Sequence, residues 1–186
     1  MILLLLRVRW KNILQGVTVL DEKIISFPPV LPKEPKVLIL GSMPGGISLE
    51  KKQYYGNPRN HFWGILFELF NQTPIEDYEE KINFVKQNNI ALWDSIGNCY
   101  REGSLDTAIT DEEPNDIMGL LRQYPTIKLI ACNGTKSYQT FLRNFPREKL
   151  DAVDVVKMPS TSPIPGRYTK SFAGKVEAWK RIVDFS

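Results

Sequence analysis

The chain holds only two cysteines, Cys99 and Cys132, and one histidine, His61, in 186 residues. Two thiols are too few for a disulfide framework or a cysteine zinc site, and a single imidazole excludes metal motifs that need two. Both cysteines lie in or beside apolar segments, which predicts buried free thiols in a reducing cytoplasm. No metal and no redox cofactor is implied. Long hydrophobic runs are missing too. Met1–Leu6 is apolar but far too short to span a bilayer, and Arg7 and Arg9 follow it, whereas a secretory signal carries its charge first. The segment reads as an added strand or an extension, with no membrane role. Charge of one sign is scarce: the formal net charge is +3, which permits a local basic face for nucleic acid without demanding one.

What is present is ordinary globular composition, 42% hydrophobic and 24% charged, in a length that suits one domain with a substantial core. Short apolar runs alternate with helical patterns. Strands are predicted over Lys36–Leu40, Ile90–Trp93, Ile127–Cys132 and Ala152–Met158. Helices are predicted over Arg59–Asn71, from a Thr73 cap with Pro74 and Glu76 to Gln87, and over Asp116–Tyr124, Thr135–Phe145 and Phe172–Phe185. A long polar loop is expected from Trp93 to Asp106. Strands alternating with helices imply an α/β fold, a three-layer α/β/α sandwich on a four-stranded parallel sheet, with right-handed crossovers placing helices on both faces. Residues 1–26 form an amino-terminal extension and 27–186 the domain. Ligands of such folds bind at the carboxyl ends of the strands, so the loops after Leu40, Trp93, Cys132 and Met158 are the ones to examine.

The first of these loops, Gly41-Ser42-Met43-Pro44-Gly45-Gly46, has the backbone freedom to approach an anion or a base closely. It lacks the Gly-Lys-Ser/Thr of a Walker A loop and the G-x-G-x-x-G dinucleotide spacing. Alone such a loop is more often a strand-to-helix turn. Its continuation is more specific: Ser48-Leu49, Gln53-Tyr54-Tyr55, then Asn57-Pro58-Arg59-Asn60-His61-Phe62-Trp63. This composite closely resembles the first motif of the uracil-DNA glycosylase superfamily, and its Ser-Met-Pro-Gly and Tyr-Tyr pattern looks most like the hypoxanthine-DNA glycosylase family within it. Leu92-Trp93-Asp94, Cys99-x-Arg101, Gly103-Ser104-Leu105-Asp106, Asn133-Gly134 and Pro159-Ser160-Thr161-Ser162-Pro163 agree in order, so the resemblance covers roughly Phe27 to Phe185.

The resemblance implies a monofunctional enzyme that flips a deaminated base, hypoxanthine favoured, out of DNA and hydrolyses its N-glycosidic bond. It implies a soluble, cytoplasmic, monomeric protein without cofactor. Three alternatives stay open: a uracil or thymine mismatch glycosylase, a non-catalytic damaged-DNA-binding module, and a small-molecule nucleotide-binding α/β enzyme. The broader superfamily often carries Asp or Asn in the first turn and His at the start of the last motif, where this chain has Ser42-Met43 and Met158. Asn60 is therefore the catalytic position carried over, with Asn57 second, since an amide can orient water or stabilise the departing base. A helix cap is the structural alternative for Asn60.

Base contacts are expected from Gly41, Ser42 and Met43, from Tyr55 by stacking in preference to Tyr54, and from Asp94 and Asn98 at the end of the second strand. DNA contacts are expected from Ser160, Thr161, Ser162 and Arg167, with Ile164 as an apolar wedge. Asp106 reads as a loop or helix cap, and Asn133 as part of an Asn-Gly turn.

Overall fold

The computed structural model describes residues 23–145, 150, 153–164 and 169–186. Four strands form the main sheet: β2 (Val37–Gly41), β3 (Ile90–Asp94), β6 (Leu129–Asn133) and β7 (Asp154–Met158). They lie side by side in the order β3-β2-β6-β7, all parallel. Each central strand is a run of apolar residues because both its faces are covered. Along β2, Val37 and Ile39 enter one core and Leu38 and Leu40 the other, as the two-residue period of a strand requires.

The first core is closed by α2 (Phe62–Leu69), α3 (Tyr78–Gln87) and α6 (Phe172–Trp179), through Phe62, Leu66, Val85 and Trp179 among others. The second is closed by α4 (Ile117–Gln123) and α5 (Thr135–Asn144), through Ile117, Leu120 and Phe141. This is the three-layer arrangement expected from the sequence. Cys99 and Cys132 are both free and buried, and burial pushes the Cys132 thiol up to about 12.

Three local expectations need correction. The span from Trp93 to Asp106 is not a loop: β4 (Ile96–Arg101) pairs antiparallel with β5 (Ile109–Pro114) and with β1 (Ile24–Ile25) in a second, three-stranded sheet. Met43, Ile96 and Cys99 form a small core beneath it. The helix expected from Arg59 starts only at Phe62, because Asn57 and Asn60 each turn a side-chain oxygen onto a backbone N–H two residues on, at Arg59 and Phe62, and so compete with helical bonding. Finally, α3 is capped by Asp77, whose carboxylate accepts from Glu80 N at 2.9 Å, and not by Thr73. Glu79 and Glu80 in its first turn suit the helix dipole there. The strand considered for Met1–Leu6 falls outside the described residues.

Candidate active site

Strand register decides what meets at the carboxyl edge of the sheet. Gly41 lies beside Asp94, and Asn133 beside Met158, so the ends of β3, β2, β6 and β7 form one row. Above that row opens a cleft of about 560 Å³. Of the residues expected to bind or react, Gly41, Ser42, Met43, Tyr55, Asn57, Asn60, Asp94, Ser160, Thr161, Ser162 and Ile164 all line it. Arg167 lies outside the described residues.

Asn98 is not in that lining. It sits on β4, where its Nδ2 donates to Glu113 at 2.9 Å, because the polypeptide leaves the main sheet at Ser95 and turns into the second one. It is withdrawn as a base-reading group. Met43 is buried with Ile96 and Cys99, so its side chain anchors the second sheet and what it offers a ligand is mainly backbone.

Asp94 forms the floor. It is 4% exposed, and its carboxyl presses so closely on Gly41 that a Cβ there would collide with Oδ1. Oδ2 is buried without a hydrogen-bond partner among the described residues. Burial first, and then the negative charge of Asp106, raise its pKa to about 7, against a smaller opposing pull from Arg101.

The turn after β2 is held from outside by the loop joining β4 to β5. Ser42 Oγ donates to Asp106 Oδ1 at 2.8 Å, Gly46 N donates to Ser104 Oγ at 2.9 Å, and an Arg101 guanidinium nitrogen donates to Pro44 O at 2.5 Å. These bonds bring Ser104, Leu105, Asp106 and Thr107 into the cleft wall. The sequence reading missed Asp106 as a site residue, since nothing local in it announces a partner 64 positions away.

The opposite wall comes from the segment before α2. Tyr54 is 5% exposed; its hydroxyl faces the Phe27 and Pro28 carbonyls and its N–H donates to Tyr78 Oη at 2.9 Å, so it is largely a core residue. Tyr55 has φ +54°, a left-handed conformation costly for a bulky side chain, and its ring is stacked on Phe62 with centroids 3.6 Å apart. Its hydroxyl accepts from Asn133 Nδ2 at 3.3 Å, and burial pushes its pKa upward. Asn60 Oδ1 accepts from Phe62 N at 3.0 Å, which is the capping role in substance although His61 occupies the N-cap position itself. With the oxygen so engaged, what Asn60 can offer a ligand is its Nδ2.

Asn133 pins the last loop. Its Oδ1 accepts from Thr161 N at 2.9 Å and its Nδ2 donates to Thr161 Oγ1 at 2.8 Å. Thr161 also accepts at its carbonyl from His61 N and is fully buried, so it is spent on structure and cannot meet a phosphate as expected. Ser160 and Ser162 stay at the surface of the loop, each accepting the backbone N–H two residues on, and Ile164 is exposed at the rim. Lys175 supports the loop from beneath: it is 1% exposed, with Nζ 3.3 Å from His61 Nδ1 and 3.4 Å from Ser162 O. Burial lowers the pKa of Lys175, and burial together with the Lys175 charge lowers that of His61. Among the basic side chains near the cleft, Arg101 and Lys136 are occupied, by Pro44 and by Glu112, while Arg59 is exposed in the cleft wall.

Among the described residues no group of three His, Cys, Asp or Glu is placed to hold a metal, and no helix is long and apolar enough to cross a membrane. The cleft thus offers a protonatable carboxyl on its floor, a second carboxylate on its wall, an amide donor, an aromatic ring and backbone amides. That set can receive a polar ring edge-on and stabilise charge developing on it.

The Uracil DNA glycosylase superfamily matches residues 28–183. A hypoxanthine DNA glycosylase of Methanosarcina acetivorans is 39% identical over 156 residues, covering 82% of this chain and 94% of that protein. One of Methanosarcina barkeri is 42% identical over 120 residues, covering 63% and 76%. A solution NMR structure from Methanosarcina acetivorans, described as a candidate uracil DNA glycosylase, superposes with a TM-score of 0.71 at 36% identity, over 88% of this chain and 99% of that one.

Proposed function

The chain belongs to the uracil-DNA glycosylase superfamily, and from that membership we propose a monofunctional DNA glycosylase that removes deaminated bases, hypoxanthine foremost, in base excision repair. Its glycosylase domain takes in residues 24–186, reaching ahead of the expected boundary at Phe27 because Ile24–Ile25 pair with β4, and it works as a cytoplasmic monomer without cofactor, one open face being what bound DNA needs. The observation that carries this reading is the single cleft in which the Gly41–Gly46 turn, the Asn57–Asn60 segment and the Ser160–Ile164 loop converge on Asp94.

Hypoxanthine presents an N–H donor beside a carbonyl acceptor. A neutral Asp94 carboxyl offers the complementary acceptor and donor, and its raised pKa supports that protonation state. Adenine carries an amino donor where hypoxanthine carries the carbonyl, so an amide donor such as Asn60 Nδ2 aimed at that position rejects it. Tyr55, backed by Phe62, supplies a stacking face for the flipped base. Asn60 orients and stabilises the reacting groups, with Asn57 beside it. Ser160 and Ser162 contact the backbone of DNA while Ile164 fills the gap left in the stack.

Duplex oligonucleotides carrying single hypoxanthine, xanthine or uracil lesions, scored for abasic sites, test the assignment. Release of hypoxanthine ahead of uracil is expected. Efficient uracil release with none from hypoxanthine moves the chain to the mismatch-type reading. Tight lesion binding with no release of any base makes it a binding module.

A further inference from the structure

Hydrolysis of an N-glycosidic bond consumes a water, and something must take its proton. The amide oxygens of this cleft are ill suited: those of Asn57, Asn60 and Asn133 each accept a backbone N–H, from Arg59 at 3.0 Å, Phe62 at 3.0 Å and Thr161 at 2.9 Å. An amide oxygen is in any case no base at neutral pH. His61, the one imidazole, is not in the cleft lining and turns Nδ1 toward Lys175. Asp94 is buried on the floor, where a charge is disfavoured, and suits the role of an acid. The remaining carboxylate is Asp106. It is exposed in the cleft wall, and the Ser42 hydroxyl holds its Oδ1 at 2.8 Å. Arg101 on Pro44 and Ser104 on Gly46 fix the same loop on either side.

We propose that Asp106, held over the Gly41–Gly46 turn by Ser42, is the general base that activates water in this cleft, an inference that rests on the glycosylase reading above. In the step, the water oxygen bonds to C1′ of the sugar and one water proton passes to the Asp106 carboxylate. The C1′–N bond breaks, its electron pair leaving on the base nitrogen. The departing base takes up a proton from Asp94 or solvent, and Asp106 returns its proton to solvent. The negative charge also favours the positive character that develops at C1′. Asp106 is the catalytic residue of this proposal and Ser42 a positioning residue acting through it. That the Asp106 charge helps keep Asp94 protonated fits a carboxyl pair divided between base and acid roles.

Single-turnover release of hypoxanthine from a lesion duplex, followed from pH 5 to 9 on wild type, Asp106→Asn and Ser42→Ala, tests it. Asp106→Asn is expected to lower the maximal rate on the order of a hundredfold or more, with melting temperature and lesion binding unchanged. Ser42→Ala is expected to cost roughly tenfold with lesion binding unchanged, since it removes only the tether. Asp106→Asn within about threefold of wild type overturns the proposal. Should Asp106→Asn not fold, Ser42→Ala decides: a slowed folded enzyme supports the assignment, and an unchanged rate overturns it. Wild type that releases no base overturns the glycosylase reading together with this one, whereas active wild type with active Asp106→Asn overturns this one alone.

Discussion

In the proposed reaction two side chains of the cleft have a structural and a chemical role at once, and single-atom substitutions separate the two. Asn60 uses Oδ1 to satisfy Phe62 N at the mouth of α2, leaving Nδ2 for the ligand. Asn60→Ala removes both and should cost about 1 kcal/mol of stability besides activity. Asn60→Asp keeps an acceptor for Phe62 N and exchanges the amide donor for a negative charge. It should hold the melting temperature near wild type while single-turnover excision falls on the order of a hundredfold; an unchanged rate would leave Asn60 a cap and shift attention to Asn57. Asp94 is separable by pH. Its carboxyl titrates at about 7 in the fold against an ordinary 3.8. Between those values the unfolded chain has given up a proton that the native protein still binds, so wild-type stability falls as pH rises from about 4 to 7 and is level above. The loss is of the order of 4 kcal/mol, at roughly 1.4 kcal/mol per unit. Asp94→Asn should escape it, gaining in urea midpoint over wild type at pH 8 but not at pH 4. Because Asn also offers a donor and an acceptor, the variant should still release base above pH 8, where the wild-type rate declines.

At the level of elements, the site depends on loops that grip one another more than on any helix terminus. The loop after β7 can approach β6 only because residue 134 has no side chain. Gly134 has φ +96° and ψ 175°, a conformation that is nearly glycine's alone, and a Cβ there would stand 3.2 Å from Ser160 Cβ. Gly134→Ala should therefore cost about 1–3 kcal/mol in denaturant unfolding and lower excision more than it lowers binding, by pushing the Ser160–Ile164 segment off its seat. A normal melting curve with full activity would show the loop to be tolerant. The second sheet was not legible in advance for a related reason. Four of the six residues of its β5 are Asp111-Glu112-Glu113-Pro114, a composition that argues against a strand, and the pairing with β4 is interrupted by register shifts. It exists because Ile24–Ile25 supply a neighbour on one side and Met43 a small core beneath. Asp106 could not be recognised as a cleft residue until that hairpin was known.

For the molecule as a whole, a net charge of only +3 means that DNA affinity must come from local placement of cations more than from a global field. Arg59 is exposed in the cleft wall, whereas Arg101 and Lys136 are committed within the protein. Lesion-duplex binding should weaken with rising salt as phosphates release their counterions. Arg59→Ala should weaken it across sequences, reduce the salt slope by about one, and leave base preference alone. Binding insensitive to salt would place the interface elsewhere.

Local sequence patterns are enough for the layered α/β fold and for the edge of the sheet at which the site lies. Apolar runs and helical stripes are local signals, and all parallel strands end at one edge, so Gly41–Gly46, Asn133-Gly134 and Pro159–Pro163 had to share it. Which atoms face the cleft depends on how the elements pack. That packing turned Tyr54 and Thr161 inward, carried Asn98 off to the second sheet and delivered Asp106 to Ser42. Those outcomes rest on hydrogen bonds between residues 64, 58 and 28 positions apart, and the burial that pushes the Asp94 carboxyl up to about 7 rests on the packing of whole elements. Such contacts depend on how whole elements pack, and no periodicity in the sequence encodes them.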